Sequence, residues 1–188
     1  MKKALPFFIV AVVCVVLAIR YFRPDLISFA GGTEDGATNA ADIDQPLPHA
    51  VMPSVDGDWV DLEKYKGKVV LINFWTTWCP GCRDEMPDLI KLQSEFDEKG
   101  FTVVAIAVDD QGEQSVSNFV KTEHFDVNGS SLSLNFPVLM GHDELSRKIG
   151  FEGGLPASIL VTRDGKEMKI IRGPLHQQQA SKIIKNML

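Results

Sequence analysis

The hydrophobic pattern of the chain switches between short apolar runs and stretches of helical spacing, and those switches predict its elements. Residues 69–74 (VVLINF) form a nearly unbroken apolar run, as expected of a strand buried on both faces. A loop, Trp75-Thr76-Thr77-Trp78, follows, and a helical pattern begins near Cys79. Pro80 suits a first helical turn, where its missing amide would have no partner anyway. Leu89, Leu92 and Phe96 recur at helical spacing until Gly100 ends the pattern. Residues 102–108 (TVVAIAV) predict a second buried strand, closed by Asp109-Asp110 in solvent. A helix is expected over 115–125, with Val116, Phe119 and Val120 on one face. A short strand at 136–140, a short helix at 144–149 and a strand at 157–162 come next. Asp164-Gly165 then supplies a tight turn into a strand at 166–171. Residues 176–188 read as an amphipathic helix with Ile183, Ile184 and Leu188 inward. The series predicts an α/β domain, a mixed central sheet flanked by helices.

The N-terminus breaks this pattern. Lys2 and Lys3 precede an uncharged apolar run over residues 4–19, which ends at Arg20. That run is longer than most signal-peptide cores and slightly short for a full span, until Arg20 snorkels and Tyr21 and Phe22 sit at the interface. The nearest small-x-small site, Ser28-Phe29-Ala30, lies too far beyond the run for ordinary cleavage. An uncleaved transmembrane anchor over residues 1–22 is therefore favoured over a cleaved signal peptide. Residues 23–44 turn to Gly, Ala, Thr, Asn and acid, which predicts a flexible tether. The folded domain is expected over residues 45–188, exported to a bacterial periplasm or its equivalent.

Charge and cysteine content narrow the function. With 19 Lys+Arg against 25 Asp+Glu, the net charge is −6, and no basic block suits a phosphate backbone, so nucleic acid is not an expected partner. Three cysteines are too few for a disulfide scaffold. Cys14 sits in the apolar run and reads as inert filler. His49, His124, His142 and His176 are scattered without ligand spacing, so neither a metal site nor a cofactor is expected.

The other two cysteines carry the chemistry. In Trp78-Cys79-Pro80-Gly81-Cys82 they stand three apart, between a buried strand and a helix. Unpaired amides and the helix dipole at that position favour a thiolate on Cys79, toward the range of about 3.5–7.5 seen in such motifs. Cys79 would attack a substrate disulfide and Cys82 would resolve the mixed disulfide. A zinc knuckle would need a second ligand pair. A purely structural disulfide closing so small a loop would add little stability. Plain buried thiols would not need the proline.

The segment N-F-W-T-T-W-C-P-G-C-R-D-E-M-P, from Asn73 to Pro87, resembles the membrane-tethered bacterial thiol–disulfide oxidoreductases of the TlpA/ResA type, within the thioredoxin superfamily. The resemblance extends over about residues 45–188, with the Val-rich strand ending in Asp109 and the late Gly154-Leu155-Pro156. It implies a thioredoxin fold with a helical insert between central strands. It also implies an added N-terminal hairpin from about residues 51–62, turning at Asp56-Gly57. Pro156 would be a cis-proline facing the cysteines, and Leu155 would offer its backbone to an extended substrate strand. Glu85 would lie near the cysteines and tune their protonation, where the residues alone equally allow a solvated acid in an early helical turn. Trp78 would form part of the substrate surface, and Trp75 would be core. Asn73 replaces the buried acid of cytoplasmic thioredoxins, so residue 73 cannot itself relay a proton. Pro80-Gly81 reverses the Gly-Pro order of thioredoxin at positions that influence reduction potential.

These observations point to an exported disulfide reductase acting on protein thiol/disulfide substrates. By resemblance, the haem-attachment cysteines of apocytochrome c lead the candidates, and a membrane thiol carrier would be the electron donor. A monomer is expected. Two other readings stay open. A thiol peroxidase would use P-x-x-x-T-x-x-C, of which Thr76 and Cys79 match but Ile72 does not. A copper-handling or chaperone module would use the thiol pair as soft ligands, without the Met-rich or His-rich cluster that usually assists.

Overall fold

The computed structural model describes residues 41–43, 46, 49–148, 154–165 and 168–188. The expected anchor over 1–22 and most of the tether lie outside the described residues. Among the described residues no helix is long and apolar enough to cross a membrane.

Ten strands, β1 (Ala41–Ile43), β2 (Val51–Pro53), β3 (Trp59–Asp61), β4 (Val69–Trp75), β5 (Phe101–Ala107), β6 (Phe125–Val127), β7 (Ser130–Leu132), β8 (Val138–Met140), β9 (Ala157–Val161) and β10 (Met168–Arg172), are described. They are joined by helices α1 (Pro80–Phe96), α2 (Glu113–Thr122), α3 (Asp143–Lys148) and α4 (Gln177–Met187). The main sheet has six strands in the order β1-β10-β9-β4-β5-β8. β4 runs parallel to β5, and β5 to β8, while β9, β10 and β1 pair antiparallel with their neighbours. The expected mixed sheet is therefore present, with α2 and β8 inserted between β5 and the β9–β10 hairpin.

β4 explains why the sheet is covered on both faces. All seven of its residues are buried, and alternate ones point to opposite sides. Val69, Leu71 and Trp75 pack with Leu89, Ile90 and Leu92 of α1, Phe119 of α2 and Ile184 of α4. Val70, Ile72 and Phe74 pack with Met52 and Val60 of the β2–β3 hairpin and with Leu62. Asn73, in the odd-numbered register, therefore faces α1. The hairpin turns where expected: Gly57 has φ 92°, a conformation that favours glycine, and Gly57 N donates to Ser54 O at 3.0 Å.

Three differences from the sequence reading have physical causes. Ala41–Ile43, placed in the tether, is an edge strand in register with Met168–Ile170 of β10. The helix expected over 115–125 stops at Thr122, and Phe125 instead opens the β6–β7 hairpin. That hairpin turns through Asn128 (φ 53°) and Gly129 (φ 83°), the Asn-Gly pair that favours two-residue turns. Trp75, placed in a loop, is the last residue of β4 and is fully buried, its ring 5.1 Å from that of Phe119. At the opposite rim of the sheet, β8 is bordered by Ser54 and Val55, with Val55 N donating to Val138 O at 3.1 Å.

Candidate active site

The parallel strand β4 runs directly into the head of α1, and that junction holds the cysteines. Cys79 is the N-cap of α1, with extended backbone (φ −81°, ψ 112°), and Pro80 follows in the first turn. Its Sγ accepts a hydrogen bond from Cys82 N at 3.2 Å, the part a serine or aspartate oxygen plays at most helix starts. Cys79 and Cys82 are joined by a disulfide, with Cα atoms 5.3 Å apart. Cys79 is 5 % exposed and Cys82 fully buried, so what little of the pair meets solvent belongs to Cys79. Reduction would leave Cys79 under the free amides and dipole of the helix start, which stabilise a thiolate.

The cis-proline expectation is met. The Leu155–Pro156 bond is cis, and this loop lies against the Cys79–Cys82 turn. A Cβ built on Gly81 would stand 3.3 Å from Pro156 Cδ and 3.6 Å from Pro174 Cγ. Glycine at 81 therefore eases the close approach of the Pro156 loop, whereas the distance to Pro174 is an ordinary contact. Gly173 N donates to Pro156 O at 3.0 Å and joins the two loops. Trp78 is 53 % exposed beside Cys79, in keeping with a substrate surface that includes half-buried Leu155.

Asp109 and Asp110 add to the sequence reading. Asp110 is exposed as expected and Asp109 half-buried, but the pair does more than end the strand: both fasten the loop between β4 and α1. Thr77 N and Thr77 Oγ1 each donate to Asp109 Oδ2 at 2.6 Å, and Trp78 Nε1 donates to Asp110 Oδ1 at 2.8 Å.

Glu85 is 2 % exposed, which removes the solvated-acid alternative. Its Oε1 accepts from Asn73 Nδ2 at 2.7 Å and its Oε2 from Leu175 N at 2.6 Å. Burial drives its pKa up to about 7, against the pull of these two donors and with a further push from Asp88. Cys82 and Glu85, three apart on α1, share one side of the helix. Asn73 Nδ2 also donates to Ser158 Oγ at 3.1 Å, its direct partner across the β4–β9 ladder. Ser158, Leu175 and the two aspartates escaped the sequence reading. Only the register of β9 against β4 brings Ser158 to this position, and no local pattern announces it.

A thioredoxin-like fold carrying a disulfide between the head of a helix and its first turn, opposed by a cis-proline loop, defines a thiol–disulfide oxidoreductase. The sequence profile of the redoxin family matches residues 43–188, and the chain belongs to that family. The thiol-disulfide oxidoreductase ResA of Bacillus thuringiensis subsp. konkukian is 32 % identical over 147 residues, covering 78 % of this chain and 79 % of the relative. Among solved structures, a thiol:disulfide interchange protein of the thioredoxin family from Chlorobium tepidum TLS matches with TM-score 0.65 and 32 % identity, covering 77 % of this chain and 97 % of that one. A DsbF homologue from Corynebacterium diphtheriae shares the fold, with TM-score 0.66 at 24 % identity, over 84 % of this chain and 98 % of that one.

Proposed function

We propose that this protein is an exported disulfide reductase, held at a bacterial inner membrane by an uncleaved anchor over residues 1–22, with its redox domain in the periplasm or an equivalent extracytoplasmic space. Its substrates are protein disulfides, foremost the haem-attachment cysteine pair of apocytochrome c, and a membrane thiol carrier returns it to the dithiol state. Cys79, Cys82 and Glu85 act on the sulfur, and Trp78, Leu155 and Pro156 receive the substrate strand. The domain works as a monomer.

The observation that carries this reading is the unequal pair: one cysteine slightly exposed at the helix head, its neighbour fully enclosed. The Cys79 thiolate attacks one sulfur of the substrate disulfide. That S–S bond breaks, one substrate thiolate leaves, and a mixed disulfide forms. Cys82 then loses its proton and attacks Cys79 Sγ, which releases the second substrate thiolate and forms the Cys79–Cys82 bond. Two electrons pass from the enzyme dithiol to the substrate. Glu85, buried on the same side of α1 as Cys82, is the group suited to accept the Cys82 proton. The run of apolar residues behind Lys2 and Lys3 supports export and anchoring.

Reduced protein mixed with an oxidised C-x-x-C-H peptide tests the proposal. Cys82→Ser is expected to accumulate a mixed disulfide with the peptide, and Cys79→Ser to form none. A potential near that of a strong oxidant, about −120 mV against glutathione, would overturn the reductive direction.

A further inference from the structure

The hydrogen bonds around Glu85 are set for its ionised form only. Asn73 Nδ2 faces one carboxylate oxygen at 2.7 Å and Leu175 N faces the other at 2.6 Å, both as donors. With its second N–H given to Ser158 Oγ at 3.1 Å, Asn73 has spent both amide hydrogens, and its buried Oδ1 has no partner. A proton arriving on Glu85 would meet a donor at either oxygen. The Leu175 donor is backbone and cannot change its sense. The Asn73 amide can turn over, and the Ser158 hydroxyl both donates and accepts. The charges nearest this site are Asp88, one turn along α1, and its two partners, Lys91 Nζ at 3.1 Å and His176 Nδ1 at 3.9 Å; the groups supplied by β4 and β9, Asn73 and Ser158, do not titrate.

We infer that Asn73 is a positioning residue that turns its side-chain amide over as Glu85 gains or loses a proton, with Ser158 changing from acceptor to donor in step. When Glu85 is ionised, Asn73 donates to it and to Ser158, and the amide oxygen is the unpaired group. When Glu85 holds the proton on Oε1, the reversed amide accepts from Glu85 and from Ser158, and the amide nitrogen is the unpaired group. Each orientation strands one half of the amide, so protonation exchanges one unpaired group for another and adds none. Leu175 N keeps its acceptor throughout, which fixes the proton on the side of Asn73. A neutral Asn at 73 thereby serves a buried acid on α1 through both halves of a proton-transfer cycle, although it carries no proton itself. The inference rests on reading Glu85 as the acceptor of the Cys82 proton.

The test is nuclear magnetic resonance on the full-length, isotope-labelled, oxidised protein in detergent, titrated through the midpoint of the Glu85 carboxyl carbon. Above the midpoint, the Asn73 Nδ2 hydrogens are expected to show a cross-relaxation signal to the Ser158 β-hydrogens. Below it, that signal is lost with the same midpoint. Glu85→Gln, which fixes an N–H donor at this position, is expected to lack the signal at every pH. A signal that persists unchanged through the Glu85 titration overturns the inference, as does a loss that still follows pH in Glu85→Gln. Asn73→Leu removes a partner that both protonation states use, so the Glu85 midpoint is expected to stay within about half a pH unit; a rise of a full unit or more would mean that Asn73 serves the ionised form alone and overturns the inference. If Asn73→Leu does not fold, the titration of the unaltered chain decides alone. Peptide exchange is scored separately: failed exchange with a reversing amide overturns the proposed function but supports this inference.

Discussion

Asp109 Oδ2 accepts two hydrogen bonds from one residue, Thr77, through its backbone N and its Oγ1, each at 2.6 Å. The end of β5 thus grips the loop that leads from β4 into Cys79. A neighbouring bond, from Trp78 Nε1 to Asp110 Oδ1, extends the grip to the exposed indole. The approach to the reactive sulfur is positioned from a strand thirty-two residues away in sequence.

Removing the first of these carboxylates tests that grip. Asp109→Ala deletes three hydrogen bonds to a charged acceptor, two from Thr77 and one from Gln111 N, and is expected to cost about 1–3 kcal/mol in urea unfolding, with slower peptide exchange. Asp109→Asn keeps an accepting oxygen and should recover most of both. Asp110→Ala, whose partner Trp78 is 53 % exposed, should leave stability within about 0.5 kcal/mol and chiefly weaken substrate binding.

The buried Glu85 predicts a pH-dependent stability of the oxidised protein. Its pKa rises on folding from 4.5 to about 7, so between those values the folded state binds more protons than the unfolded state. Stability therefore falls as pH rises from about 4.5 to about 7 and levels off beyond, a total change on the order of 3 kcal/mol. Urea midpoints across this range should show the decline in the unaltered chain. In Glu85→Gln this contribution should vanish.

A methyl group at position 81 probes the proline loops. Gly81→Ala places a Cβ 3.3 Å from Pro156 Cδ, a ring with little freedom to retreat. The substituted helix gains about 1 kcal/mol of propensity, which offsets part of the crowding. Unfolding should change little. The second-order rate of mixed-disulfide formation should fall several-fold, because the loop that receives substrate moves away from Cys79.

The β6–β7 turn offers a control remote from sulfur chemistry. Asn128 and Gly129 both have positive φ, so replacing both with alanine should destabilise by roughly 1–2 kcal/mol per residue. Exchange with the peptide should be unaltered.

Continuous burial made the central part of the fold legible in the sequence: β4 and β5 are almost wholly apolar, Asn73 and Thr102 excepted, because both faces of each are covered. The helix between them was legible because its inward residues recur at one spacing. Short edge elements were not. Ala41–Ile43 is three residues long and is held by the backbone of β10, a partner no local pattern names. The Asn128-Gly129 pair did announce a hairpin, but the apolar spacing through Phe119 to Phe125 continued the helical pattern over it. At the site, the cysteines could be read from one motif, while the cis-proline and the exposed Trp78 followed from the resemblance to a known family. The Asp109, Asp110 and Ser158 contacts could not, since they depend on strand register and on which face a loop side chain turns toward.

One consequence of the sheet's rims concerns encounters between copies. β1 covers Met168–Ile170 on one margin, and Ser54 and Val55 border β8 on the other. Exposed strand margins are templates on which further strands can grow; here the molecule's own backbone covers β10 and part of β8, and the three residues of β1 become the outer strand on the first side. Strand trading between copies would therefore have to begin on three residues of β1, a far shorter template than β10 would offer if it were bare.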